Sequence, residues 1–349
     1  VNDAAKEGID QNFTKYMPVP GYLDLRQAIS KKFKRDNNLA YSVDQIVVST
    51  GAKQSITNVV LCLINEGDEV LLPAPYWVTY AEIVKLAGGI PVFVDAGIDV
   101  DFKITAEQLQ AKTTRNTKLM IYSSPCNPTG TVYTKNELRG IANYFAENKG
   151  VNVIADEIYE HITFEGKHES LAQFEDIYDQ VITINGVSKA FAMTGWRVGY
   201  MGAPLWIAKA CSKMQGQFTS GTCSISQRAA KAAVEAHPKE TRYMTEAFDR
   251  RRKLAHGLLS EIPGLKINMP QGAFYFFPDV SSYFGKSDGK STINNSSDLS
   301  LYLLTQANVA LVTGDAFGGP NCIRFSYAAA DDLLIEAMAR IKTALAKLN

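Results

Sequence analysis

No stretch of the 349 residues approaches the roughly 20 consecutive apolar side chains of a membrane-spanning helix. No secretory-type leader opens the chain. Neither sign of charge is in excess, since 36 Lys and Arg balance 36 Asp and Glu. That balance speaks against a nucleic-acid footprint and against a patch for acidic membranes. Cysteine is scarce and unpatterned. Cys62, Cys126, Cys211, Cys223 and Cys322 are odd in number and include no C-x-x-C. They predict reduced, mostly core thiols in a cytoplasmic protein. The four histidines, His161, His168, His237 and His256, show no metal-ligand spacing, so no metal site is expected.

What remains is an ordinary globular composition, 46% hydrophobic and 21% charged, long enough for two domains. The first two-thirds alternates short apolar runs with amphipathic ones. Strands are predicted at 45–50, 69–72, 90–94, 118–122, 151–155, 181–184 and 200–203. Helices are predicted at 24–36, 52–63, 79–86, 105–111 and 136–148; in the first, Leu25, Ile29 and Phe33 recur four apart. This alternation predicts an α/β large domain with a mainly parallel seven-stranded sheet covered by helices. Ligands of such sheets gather beyond the carboxyl ends of the strands. Helices follow at 224–236 and 240–259. After Pro263-Gly264 come strands at 265–267, 273–277, 309–312 and 322–326 and helices at 299–306 and 333–348. A large domain at 1–240 and a smaller C-terminal α+β domain at 241–349 are expected. Ser281 to Ser297 reads as a polar surface loop. Arg250-Arg251-Arg252-Lys253 reads as a solvated helix face, because the chain is neutral.

Five loops that follow predicted strands carry the chemistry. Lys189, in Ser188-Lys189, ends the run after Val181–Ile184. Lysine is rarely buried without a partner, so this position suggests a cavity mouth where an amine stays partly neutral and nucleophilic. Arg197 follows eight residues later, between Gly195 and Gly199. An amine beside a fixed guanidinium suggests a phosphorylated carbonyl ligand. A Ser-Lys pair taken alone is usually a surface charge, and the other loops decide the matter. Thr50-Gly51-Ala52-Lys53-Gln54 opens a helix whose free N–H groups suit an anion, although no Walker motif is present. Pro75-Tyr76-Trp77 offers an indole for a flat ring, where a core tryptophan is the plainer reading. Ser124-Pro125-Cys126-Asn127-Pro128-Thr129-Gly130 is a rigid turn presenting Asn127. Asp156-Glu157-Ile158-Tyr159 places a carboxylate at a strand end, where it needs a cationic partner. Glu157 reads as the surface member of that acidic pair or, alternatively, as buried against a neighbour.

Asn127-Pro128-Thr129-Gly130, Asp156-Glu157-Ile158-Tyr159 and Ser188-Lys189-x7-Arg197-x-Gly199-Tyr200 resemble motifs of the fold-type-I pyridoxal-phosphate aminotransferases of class I/II. With Thr50–Gln54, Pro75-Tyr76-Trp77 and Arg324, they resemble the prokaryotic-type aspartate aminotransferase subgroup over essentially the whole chain. The resemblance implies the PLP-dependent transferase fold, pyridoxal 5'-phosphate as cofactor and a homodimer with shared active sites. It implies that Lys189 forms the Schiff base and moves the proton. Asp156 would pair with the pyridinium nitrogen, while Tyr159 and Asn127 would hydrogen-bond the ring's phenolic oxygen. Trp77 would stack on the ring. Gly51, Ala52, Lys53, Ser188 and Arg197 would hold the phosphate, with Tyr16 reaching it from the partner subunit. Arg324 would bind the substrate α-carboxylate, with Asn127 and Trp77 also touching the substrate. Lys53 is the candidate for a distal carboxylate.

The family usually carries a further N-terminal segment that closes over the substrate, and the chain as written begins at Val1 without it. The expected reaction is ping-pong transfer of an amino group from L-aspartate, or a related dicarboxylic or aromatic amino acid, to 2-oxoglutarate. Alternatives on the same scaffold are an aromatic or prephenate transaminase and a C–S β-lyase. A non-catalytic regulator with an aminotransferase-like domain belongs to another class. A serine hydrolase is disfavoured because Gly186-Val187-Ser188-Lys189-Ala190 lacks the final glycine of a nucleophile elbow.

Overall fold

A computed structural model describes residues 1–349. Helices α1 (Asn2–Asp10) and α2 (Leu23–Asn37) lead into β1 (Ile46–Ser49) and α3 (Ala52–Leu63). Then come β2 (Glu69–Ala74), α4 (Thr79–Leu86), β3 (Ile90–Asp95), α5 (Ala106–Lys112), β4 (Thr117–Ser123) and α6 (Lys135–Glu147). The sheet is completed by β5 (Asn152–Asp156), β6 (Val181–Gly186) and β7 (Gly199–Gly202). Its order is β1-β7-β6-β5-β4-β2-β3. Every neighbouring pair from β6 to β3 is parallel, and β7 runs antiparallel between β1 and β6. The fold is α/β with a mainly parallel seven-stranded sheet.

The central strands are apolar on both faces because helices cover both sides. β1, β6 and β7 are buried throughout. One core, of 38 residues, gathers α2, α6 and α8 (Ser224–Glu235) on one face. Another, of 23 residues, gathers α3, α4 and α7 (Leu205–Phe218) on the other.

Helix α7 lies outside the elements expected from periodicity. Its inward stripe is Ile207, Ala208, Cys211 and Gln215. Small residues and one amide make that stripe weakly apolar. Gln215 is nevertheless fully buried, donating through Nε2 to the carbonyls of Val19 and Val48 and accepting from Asn58. Helix α1 is equally faint in sequence, since only Ala5 and Gly8 are buried.

The remainder of the chain holds α9 (Arg242–Ser260), β8 (Tyr275–Phe276), α10 (Ser296–Ala307), β9 (Val312–Thr313), β10 (Ile323–Ser326) and α11 (Asp331–Leu345). Its three strands form an antiparallel sheet in the order β8-β10-β9 around a separate apolar cluster. These strands are shorter than expected. The run at 265–267 makes only a single bridge, Lys266 to Asp279, and 309–312 contributes only Val312 to β9.

The basic run on α9 is not a uniformly solvated face. Arg252 is buried, stacked over Phe164 and bonded to Asp249, Glu165 and the Pro270 carbonyl. Arg250 and Arg251 both pair with Asp331 at the start of α11. No helix is long and apolar enough to cross a membrane.

Candidate active site

The parallel topology brings the carboxyl ends of β1, β2, β4, β5 and β6 to one edge, and their loops enclose a cavity of about 360 Å³. At one end lies the start of α3. Gly51 is its N-cap at φ +85°, and no side chain caps the helix. Ala52 and Lys53 stand in the first turn of the helix, where amides lack an acceptor within it, and both line the cavity. Arg197 stands beside them in the left-handed region, at φ 52°, with Nη1 donating to the Thr194 carbonyl at 2.8 Å. A side chain at Gly51 would collide with this guanidinium. A Cβ at Gly199 would strike the backbone nitrogen of Ala52. Gly199→Ala is therefore expected to push α3 off β7 and destabilise the protein by about 1–3 kcal/mol, measured by denaturant unfolding. Ser188 completes this end with a buried hydroxyl. Amides, guanidinium and hydroxyl together make an anion seat.

The centre of the cavity holds one acid and one amine. Asp156 ends β5 and is 4% exposed. Tyr80 donates its hydroxyl to Oδ2 at 2.7 Å, and the Ile158 amide donates to Oδ1 at 3.3 Å. Asp156 has no ion-pair partner within the protein, and burial pushes its carboxyl up to about 6 against those two hydrogen bonds. A carboxyl left in that condition calls for a cation in the cavity.

Lys189 is half-buried, its Nζ 5.6 Å from the Tyr159 ring centre and 5.5 Å from that of Phe274. Its amine makes no hydrogen bond or ion pair. Burial lowers its pKa, and the nearby charges of Arg324 and Arg197 lower it further. Lys32 shows the contrast. It is 2% exposed and fully engaged with Glu160, Asp36 and Asn37. The buried lysine with partners is structural; the one without them is available to react.

At the far end, Arg324 extends from β10 with its guanidinium 4.7 Å from the ring centres of both Tyr275 and Phe317. Its Nη1 donates to Asn127 Oδ1 at 2.9 Å, which leaves the Asn127 amide hydrogens free. The Asn127 loop is locked to the C-terminal region. The amides of Gln271 and Gly272 both donate to the Gly130 carbonyl, at 2.9 and 2.8 Å, where Gly130 takes φ +72°. Trp77 lines the wall at right angles to Tyr80, and Lys53 Nζ lies 4.8 Å from its ring centre at the rim.

Of the residues singled out in the sequence, all but Gly51 and Tyr16 line this cavity, and Gly51 abuts it through Arg197. Tyr16 is 98% exposed and lies elsewhere on the chain. Glu157 is not the surface member of its pair. It is 1% exposed, 2.9 Å from His168 Nε2 in an ion pair and accepting a hydrogen bond from the Ser170 hydroxyl at 2.6 Å. The sequence reading overlooked Tyr80 and Tyr275. Tyr80 stands in the first turn of α4, three residues after Trp77, its amide donating to the Trp77 carbonyl, and both side chains line the cavity. Tyr275 is concealed in the run Phe274–Phe277, which reads as core strand.

This arrangement suits a flat ligand with an anionic group at one end, a basic ring nitrogen opposite Asp156 and a carbonyl near Lys189. The family model for aminotransferase class I and II matches residues 1–341. A bifunctional aspartate aminotransferase and glutamate/aspartate-prephenate aminotransferase from Petunia hybrida is 48% identical, covering 99% of this chain and 74% of the relative. An aspartate/prephenate aminotransferase from Cereibacter sphaeroides is 44% identical over 100% of this chain and 88% of its own length. The solved aspartate aminotransferase from Rhizobium meliloti superposes with a TM-score of 0.97 at 39% identity, covering 100% of this chain and 88% of that one. The chain belongs to the class I and II aminotransferase family, and it is a transaminase. The family works with pyridoxal 5'-phosphate.

Proposed function

We propose that the protein transfers the amino group of L-aspartate, or of a related dicarboxylic or aromatic amino acid, to 2-oxoglutarate with pyridoxal 5'-phosphate bound in this cavity. The carrying observation is that an unpaired amine and an unpaired buried carboxyl face one cavity, between an anion seat and an arginine. When bound, the cofactor supplies an electron sink for the substrate α-carbon.

The chain's residues then divide the work. The Ala52 and Lys53 amides, Ser188 and Arg197 take the phosphate beside Gly51. Tyr16 of a second copy reaches the same group if the protein is a homodimer, and its near-complete exposure supports that reading. Asp156, anchored by Tyr80, holds a proton on the ring nitrogen through its negative charge. Tyr159 and the free amide hydrogens of Asn127 donate to the phenolic oxygen. Trp77 covers one face of the ring and excludes water. Lys189 is the point of attachment and afterwards carries the proton to and from the α-carbon; its depressed pKa keeps a neutral fraction available for that step. Arg324, packed against the rings of Tyr275 and Phe317, receives the α-carboxylate as a fork. Lys53 at the rim is placed for a distal carboxylate.

Arg324→Ala is expected to lower kcat/KM by about 2–5 kcal/mol equivalent, mostly through KM, with cofactor content unchanged. Steady-state kinetics and cofactor absorbance check both parts. A second reading, with prephenate as amino acceptor, is favoured by the names of the Petunia and Cereibacter relatives. A panel of amino donors with 2-oxoglutarate, and of aspartate with prephenate, decides between them. Pyruvate release from cystathionine in place of oxaloacetate from aspartate would instead indicate a β-lyase. Five unpaired cysteine thiols support a cytoplasmic setting.

A further inference from the structure

Tyr275 touches both halves of the cavity. Its hydroxyl lies 2.9 Å from that of Tyr159, in a buried contact where either oxygen is able to donate. Its ring carries the Arg324 guanidinium on one face, 4.7 Å from the centre. Burial raises the pKa of both phenols, so each keeps its single hydrogen near neutral pH. That count decides the direction of the bond. If Tyr159 donates its one hydrogen to a ligand oxygen, the hydrogen between the two phenols has to come from Tyr275. A phenol that accepts one hydrogen bond becomes a better donor in the next.

We propose that Tyr275 is a positioning residue that strengthens Tyr159 as a donor to the cofactor's phenolic oxygen, while its ring face fixes Arg324 for the substrate carboxylate. The inference rests on the reading of Tyr159 given above. Two separable functions reside in one side chain, the hydroxyl acting on the cofactor side and the ring on the substrate side. β8 is well suited to hold it, because Tyr275 pairs with Ser326 of β10, two residues beyond Arg324. The two residues therefore share one small sheet.

The test uses the cofactor-loaded protein and its visible absorption, titrated across the neutral and alkaline range. A donor to the phenolic oxygen favours negative charge there and lets the proton shared with the Lys189 nitrogen leave at lower pH. Tyr275→Phe is expected to raise the pH of the spectral transition by about half a unit. Tyr159→Phe should raise it further, and the double variant no further than Tyr159→Phe alone. Tyr275→Phe keeps the ring, so KM for the amino donor should stay within about twofold. Tyr275→Leu removes the ring and should raise KM about tenfold. An unmoved transition in Tyr275→Phe, with a raised one in Tyr159→Phe, sinks the proposal and leaves the reading of Tyr159 standing. If neither variant moves the transition, that reading fails and the proposal with it. Tyr275→Phe is near-isosteric, so the spectral test holds even if the leucine variant does not fold.

Discussion

Replacing Lys189 with alanine is expected to lower transamination turnover by about 10⁴-fold or more while leaving folding stability unchanged or slightly improved. The loss follows from the position of the amine. Lys189 offers an unpaired amine whose pKa burial lowers, while the other lysine lining the cavity, Lys53, lies over Trp77. The unchanged stability follows from what Lys189 lacks: its amine makes no hydrogen bond or ion pair whose loss would leave a partner exposed. Lys32 predicts the opposite pattern. Its removal would strand the Glu160 carboxylate, which burial tends to protonate and which Lys32 and His161 hold in the charged form. Lys32→Ala should therefore destabilise by about 3–5 kcal/mol. Kinetics and denaturant unfolding of the two variants, measured together, separate a functional lysine from a structural one.

The second large effect concerns Asp156, where stability and activity are expected to move in opposite directions. In the cofactor-free protein, burial raises this carboxyl to about 6 from 3.8. Between those pH values the folded chain binds more protons than the unfolded chain, so stability falls as pH rises. Above pH 6 the full penalty is present, about 3 kcal/mol for a shift of that size. Asp156→Asn removes the charge and keeps an acceptor for the Tyr80 hydroxyl. Cofactor-free Asp156→Asn should thus be more stable than the wild type by about 2–3 kcal/mol at pH 8, and by little near pH 4. Its turnover should drop by about 10²–10³-fold, because the charge that holds the ring nitrogen protonated is gone. Equal stabilities at pH 8 would show that the carboxyl is not an unpaired buried charge.

The sheet was legible because each strand is a short apolar run that ends in turn residues. Lys189, Asp156 and Asn127 were legible for the same reason, since a polar residue just past such a run has few places to go. Strand order was not legible. Nothing in Gly199–Gly202 reveals that β7 runs antiparallel between β1 and β6. Helix α7 escaped notice because its buried stripe holds one isoleucine among alanine, cysteine and glutamine. Arg252 was misread as solvent-facing, and Glu157 was left between surface and burial, because their partners lie far off in sequence or in irregular loops. Arg252 needs Glu165 and the Pro270 carbonyl, and Glu157 needs His168 and Ser170. Tyr80 and Tyr275 remained hidden for a related reason. An aromatic in an apolar run reads as core, and only the hydroxyl's partner, Asp156 or Tyr159, distinguishes it.

Lys189 is expected to carry the cofactor. Borohydride reduction of the loaded protein, followed by peptide mass spectrometry, tests it most directly. The expected result is one pyridoxyl-phosphate adduct per chain, on the peptide containing Lys189, and no adduct in Lys189→Ala. An adduct on Lys53 or another lysine, or a reducible adduct persisting in Lys189→Ala, would contradict it.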